Sequence, residues 1–191
     1  MKLLLNLLFA TLTAYSFACD CKTISKEKDY QLSDRIFLGQ ITDVYEDYFE
    51  VRIIESFKGD ESESIRIFLG DYCSVLPKRS ELWLMYSKKE KDGKFYVSHC
   101  GWSRSFSHPF SINSENLPAP PPAGEIPDYA LSISETNKAL YELQQDILNL
   151  RNVREQQKVN NKKNLYYGVL FISSVLGLLI FSLCKWKKKS I

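Results

Sequence analysis

Cys19-Asp20-Cys21, standing directly after Ser16-Phe17-Ala18, decides how this chain is read. Met1-Lys2 is a short positive start and residues 3–10 form an apolar run. Ser16 and Ala18 then put small residues at the −3 and −1 positions of a cleavage site. These are the marks of a secretory signal peptide over residues 1–18. Removal after Ala18 leaves a mature chain that begins with a cysteine and carries a second one two residues on. Lipidation of Cys19, as on a bacterial lipoprotein, is the rival outcome. Phe17 and the lack of a leucine at −3 fit it poorly.

Two more cysteines, Cys73 and Cys100, follow in the same exported segment, and the fifth, Cys184, sits at the far edge of an apolar run. An even set of four outside the cytoplasm suggests two disulfides, with three possible pairings. Zinc is the competing use of four cysteines, but C-x-C with two distant single cysteines is poor ligand spacing. The 191 residues have room for one modest domain with accessories. The net charge of +2 hides segregation, because basic residues crowd Met1-Lys2 and Lys185-Trp186-Lys187-Lys188-Lys189. No basic stripe of the kind a nucleic-acid surface needs is present.

Residues 19–109 read as the folded domain. Residues 22–32 are polar and suit a short helix. Residues 33–44 carry Ile36, Leu38, Ile41 and Val44, with Gly39 expected at a bulge or bend. Residues 48–57 alternate, and Phe49, Val51, Ile53, Glu55 and Phe57 are the set expected to face inward. Lys58-Gly59-Asp60 marks a turn, residues 64–69 a short strand, and residues 81–86 a near-continuous apolar strand suited to a central place. Asp92-Gly93 signals a hairpin leading into a last strand over residues 95–100. Five short strands with one small helix predict a mainly β, compact barrel or sandwich.

Residues 110–127 form a proline-rich linker, extended at Pro118-Ala119-Pro120-Pro121-Pro122. Residues 128–164 read as a helix with a seam at Ile133, Thr136, Leu140, Leu143, Ile147 and Leu150. It serves either as a short coiled-coil stalk that joins copies of the chain or as a single amphipathic helix lying back on the domain or membrane. From Leu165 to Leu183 the chain is uncharged and mostly apolar, long enough for a transmembrane helix within residues 165–184. The basic tail at 185–191 follows as a stop-transfer signal. Together with the cleaved leader this predicts a single-pass membrane protein, with the domain in the periplasm or outside the cell and the tail in the cytoplasm.

Enzyme signatures are missing: there is no G-x-S-x-G, no phosphate-cradling glycine loop, no H-E-x-x-H and no C-x-x-C. His99 and His108 flank Gly101-Trp102 and read as surface or hydrogen-bonded residues rather than ligands. Asp43, Glu46, Asp47 and Glu50 read as a solvated hairpin face. The expectation is a protein that is not an enzyme and needs no cofactor.

A secreted domain starting Cys-x-Cys resembles the N-terminal domain of the tissue inhibitors of metalloproteinases, a netrin-like module. Ser33-Asp34-Arg35-Ile36-Phe37-Leu38-Gly39 looks like that family's first strand, and Phe57-Lys58-Gly59 like the turn after its second. Cys73 stands where a cysteine follows the third strand, and residues 92–100 are similar to the final hairpin, which ends in a cysteine. The resemblance implies a five-stranded OB fold and the pairings Cys19–Cys73 and Cys21–Cys100. It also implies a metalloprotease inhibitor in which the α-amine and carbonyl of Cys19 chelate a partner's catalytic zinc. Protease binding would fall on Cys19, Asp20 and Cys21, with a zinc metalloendopeptidase as the partner and no metal of the chain's own. The family favours small or hydroxylated side chains where this chain has Asp20, and usually has glycine where this chain has Ser74. A non-inhibitory surface binding or scaffolding module is the alternative.

Overall fold

The computed structural model describes residues 21–70, 73–111 and 129–189, with side chains left out at 129, 130, 175 and 178–189. The chain divides into two units, Met1–Asp146 and Ile147–Ile191. The first holds a helix, six strands and the start of a long second helix: α1 (Lys26–Leu32), β1 (Arg35–Val44), β2 (Tyr48–Lys58), β3 (Ser64–Phe68), β4 (Leu82–Lys89), β5 (Phe95–Tyr96), β6 (Arg104–Ser105) and α2 (Tyr129–Lys189).

The sheet runs β1-β2-β3-β5-β4-β6, and β1 also pairs with β4. That last pairing joins the two ends of a five-strand path and closes a barrel, leaving β6 as a short addition on β4. All pairings are antiparallel except β3 with β5, where Ile67 lies beside Phe95 and Phe68 beside Tyr96. The expected alternation of β2 holds at Phe49, Val51 and Phe57, which are buried, while Ile53 and Glu55 are half-exposed. Phe49 and Val51 meet Phe37 and Ile41 of β1, Ile65 and Ile67 of β3, Met85 of β4, and Val75 and Val97 in one core. Close-packed side chains of this kind supply most of the stabilisation of a domain this size.

Gly39 is where the barrel turns its corner. The β1–β2 register shifts between Leu38 and Gly39, as the sequence predicted. A Cβ at Gly39 would lie 2.5 Å from Val51 Cγ1 and 3.2 Å from the Arg52 carbonyl oxygen, so only glycine lets β2 come this close. The two predicted turns also form. Gly59 and Gly93 adopt φ of 90° and 81°. The 92–94 turn closes with Glu90 N–H donating to the Lys94 carbonyl at 3.0 Å. The strand expected over residues 95–100 is shorter than predicted. Only Phe95–Tyr96 pairs as a strand, and the chain then leaves for an isolated bridge between Ser98 and Ser74.

In α2, Ile133 is exposed, Thr136 and Leu140 are half-buried, and Leu143 is buried. Ala139, Leu143 and Asp146 form one buried face at steps of four and three, the spacing of a helix face. Within the first unit, then, this helix does not stand free of the barrel domain: Asp146 is ion-paired to Arg104 of β6 and to Lys26 of α1. In the second unit Ile147 and Leu150 are buried. Among the described residues, no helix is long and apolar enough to cross a membrane. The span expected at 165–183 runs into the positions whose side chains are left out. The leader expected at 1–18 and most of the linker expected at 110–127 lie outside the described residues.

A Gly39→Ala substitution is expected to cost about 1–3 kcal/mol, the range for overpacking a filled core. Urea unfolding followed by circular dichroism measures it. Gly93→Ala, where a Cβ would meet nothing within 4 Å, should show only the smaller penalty of its positive φ.

Candidate functional site

The expected site is the start of the mature chain. Cys19 and Asp20 lie outside the described residues, so what can be seen is the mount that receives them. Cys21 is disulfide-bonded to Cys100 across 79 residues of chain, with Cα atoms 5.2 Å apart. A loop of that length contributes about 4 kcal/mol in the chain-entropy account. Cys73 is also disulfide-bonded; the other end of the expected Cys19–Cys73 pair is outside the described residues. The two receiving cysteines sit on adjoining segments. His99 N–H donates to the Cys73 carbonyl at 2.8 Å, and Ser74 bridges Ser98. Cys73 and Cys100 are therefore brought to one place although the sequence separates them.

A second set of contacts fixes the same segment. Ser25 caps α1 by accepting from Lys28 N–H at 3.3 Å, which starts the helix just after Cys21. Asp29 in α1 is buried. Its Oδ2 accepts from Trp102 N–H at 2.8 Å, and Lys88 Nζ lies 3.5 Å from its Oδ1. The Trp102 indole N–H donates to the Ile24 carbonyl at 2.8 Å. Gly101 must be small here, since a Cβ would lie 2.8 Å from Asp29 Oδ2. The residues immediately after Cys100 thus hold both sides of α1, and the disulfide holds the chain before it.

Behind Trp102 lies a buried charged layer. Arg104 is almost fully buried and is paired to Asp146 through Nη2; its Nη1 reaches the Pro109 carbonyl at 3.5 Å, and its Nε has no hydrogen-bond partner among the described residues. Lys26 Nζ, also on Asp146, stands 4.7 Å over the Trp102 ring. Burial pushes the Tyr86 phenol well above its ordinary range; the Asp146 carboxylate adds to this and the Arg104 guanidinium opposes it. The sequence points to no function at Asp29, Arg104 or Asp146, and marks Trp102 only as a neighbour of the two histidines. None carries a motif, and the one signal was a charged residue, Asp146, sitting beside an apolar helical seam.

Among the described residues no group of three or more His, Cys, Asp or Glu side chains is placed to hold a metal. His99 and His108 are exposed and lie at separate points of the loop region. Of the acidic hairpin residues, Asp43 pairs with Arg79 at 3.2 Å and Glu50 with Arg66 at 2.9 Å. A shallow depression of 290 Å³ opens beside Cys73, lined by Gly70, Ser74, Glu90, Tyr96, Val97 and Ser98. No protein-family model matches the chain, and no curated protein matches it.

Breaking the buried pair with Asp146→Ala should lower stability by about 3–5 kcal/mol in urea unfolding, because Arg104 is left buried without its counter-ion. The double variant Arg104→Met/Asp146→Leu should recover most of the loss. The raised Tyr86 pKa gives a second expectation. The unfolded chain releases the phenol proton near pH 10 and the folded chain holds it, so stability falls as pH rises past 10. In thermal melts between pH 8 and 11, Tyr86→Phe should flatten that fall.

Proposed function

We propose that the chain is a membrane-anchored, extracytoplasmic module that binds a zinc metalloendopeptidase through its mature N-terminus, on a netrin-like OB fold like that of the tissue-inhibitor N-terminal domains. The observation that carries this is the mount: the segments that hold Cys73 and Cys100, both in disulfides, adjoin through the His99 N–H to Cys73 carbonyl hydrogen bond, and Cys21 is already on Cys100. The closed barrel with order β1-β2-β3-β5-β4 and a parallel β3–β5 contact supports the OB assignment. With Cys19 on Cys73, the α-amine would be held on a support that is rigid before any partner arrives, which lowers the entropy cost of binding. The unprotonated amine and the Cys19 carbonyl oxygen would take two positions on the partner's zinc and displace its water. Asp20 would point into the protease pocket beside that zinc. Residues 165–183 serve as the anchor, and the part of α2 before them as the stalk, through which copies of the chain can associate.

Asp20 favours a second reading, a surface module that binds a partner without touching zinc. A carboxylate entering a largely apolar pocket loses hydration that nothing there restores. The two readings separate on the amine. Intact mass should show a mature chain starting at Cys19 with no acyl group. In a zinc-endopeptidase panel, Asp20→Thr should tighten binding by about tenfold and one residue added before Cys19 should abolish it. An acyl chain on Cys19, or inhibition that survives the added residue, would sink the zinc-chelation reading. A partner that stays bound after the addition supports the second.

A further inference from the structure

In the second unit, α2 runs unbroken into the apolar stretch, and one stripe of it changes chemistry along its length. Lys158, Lys162, Tyr166, Val169, Ser173 and Leu176 follow one another at steps of four and three, so they share a helix face. All six are exposed. The stripe is cationic at its first two positions, aromatic with a polar tip at Tyr166, and mainly apolar from Val169 onward. At the rise of an α-helix, Lys158 stands about 12 Å from Tyr166 along the axis, and Tyr166 about 15 Å from Leu176. Lys163 adds a third ammonium next to Lys162. Glu155 lies 3.4 Å from Lys158 and 3.4 Å from Arg154, in exposed contacts of the kind that contribute little. Lys162 and Lys163 have no ion-pair partner among the described residues, and no acidic residue follows Glu155 in the sequence. Orientation in the membrane does not account for these lysines. The positive-inside preference is served by Lys185, Lys187, Lys188 and Lys189 on the side proposed as cytoplasmic, and it disfavours Lys158, Lys162 and Lys163 on the other.

We infer that this stripe binds an anionic glycerophospholipid of the extracytoplasmic leaflet. The headgroup phosphate meets the ammonium groups of Lys158, Lys162 and Lys163. Lysine binds phosphate as a point charge, and its long stem lets that charge reach the headgroup level from a helix side. Tyr166 stands at the boundary, with its ring toward the chains and its hydroxyl toward the headgroup. Val169 and Leu176 lie along an acyl chain. Charge selects the lipid class. A zwitterionic headgroup brings its own cation toward three lysines, whereas an anionic one brings only the charge they attract. The apolar half of the stripe selects a lipid over other anions. An acidic protein segment or a free phosphate would match the lysines and leave Val169 and Leu176 without a partner. The inference rests on the membrane anchor proposed above and not on zinc chelation.

The test uses the full-length protein in a non-ionic detergent and a phosphatidylglycerol with a fluorescent acyl chain, read by anisotropy. Unlabelled phosphatidylglycerol should displace the probe about tenfold more effectively than phosphatidylcholine. Inorganic phosphate, glycerol phosphate and an oligo-aspartate peptide should not displace it at matched concentration. The triple variant Lys158→Gln/Lys162→Gln/Lys163→Gln should lose most of that tenfold preference with an unchanged melting temperature, because all three side chains are exposed. Replacing Lys185, Lys187, Lys188 and Lys189 by glutamine should leave the preference in place, which separates the stripe from the basic tail. The inference is overturned by equal displacement with the two lipids, by a preference that survives the triple variant or vanishes with the tail variant, or by phosphate or peptide competing as well as lipid does. Fractionation of the expressing cells keeps the two readings apart. Recovery in the soluble fraction overturns the anchor and this inference with it, and a membrane-bound chain without the lipid preference overturns this inference alone.

Discussion

Strand β1 bonds on both edges, and the rest of the first unit depends on it. From Ile36 to Gln40 it faces β2 on one side and β4 on the other. Because β4 is also joined to β2 through β5 and β3, this double pairing means that the sheet bends back on itself. The shifts at Ile36/Phe37, Leu38/Gly39 and Ile41/Asp43 are where it bends. Closure removes the exposed edges that would otherwise pair with other chains. It also sets what lies inside: Phe37 and Ile41 enter the core because β1 is held from both sides, and they meet residues of every other barrel strand, half-buried Phe95 of β5 among them.

Closure also positions the cysteines. A two-residue β5 squeezed between β3 and β4 lets the chain continue at once to Ser98, Cys100 and Trp102. That puts the receiving ends of the N-terminal clamp at the barrel wall, rather than on a free loop. The charged layer behind them works differently. Buried ion pairs seldom stabilise a fold more than apolar residues of the same size would, but they tolerate few alternatives. Asp146 accepts from Arg104 and Lys26 together, so within the first unit the helical turn that carries it is held to β6 and α1 by charge.

Much of the barrel was legible in the sequence. The alternation in β2, the bend at Gly39 and the Asp92-Gly93 turn each follow from local chemistry, and local chemistry is what a sequence displays. Cys21–Cys100 was legible only through a resemblance, since spacing leaves three pairings open. The failures are all long-range. Nothing near Arg104 announces that its counter-ion lies 42 residues on in a helix, and a seam read by period cannot say whether it faces a second helix or the chain's own barrel.

α1 ties these parts together. A seven-residue helix does not hold itself in water, because nucleation takes back what so few hydrogen bonds return. It exists here because it is gripped from outside: by the Cys21–Cys100 disulfide before it, by Trp102 through Ile24 and Asp29, and by Lys58, whose ammonium donates to the carbonyls of Tyr30, Gln31 and Ser33 at its end. Lys26 then carries it to Asp146. The residue that follows Asp20 and the helix that leads to the apolar run therefore share one small element. The segment that follows Cys21 is thus held, within the first unit, by Asp146 through Lys26 as well as by the disulfide.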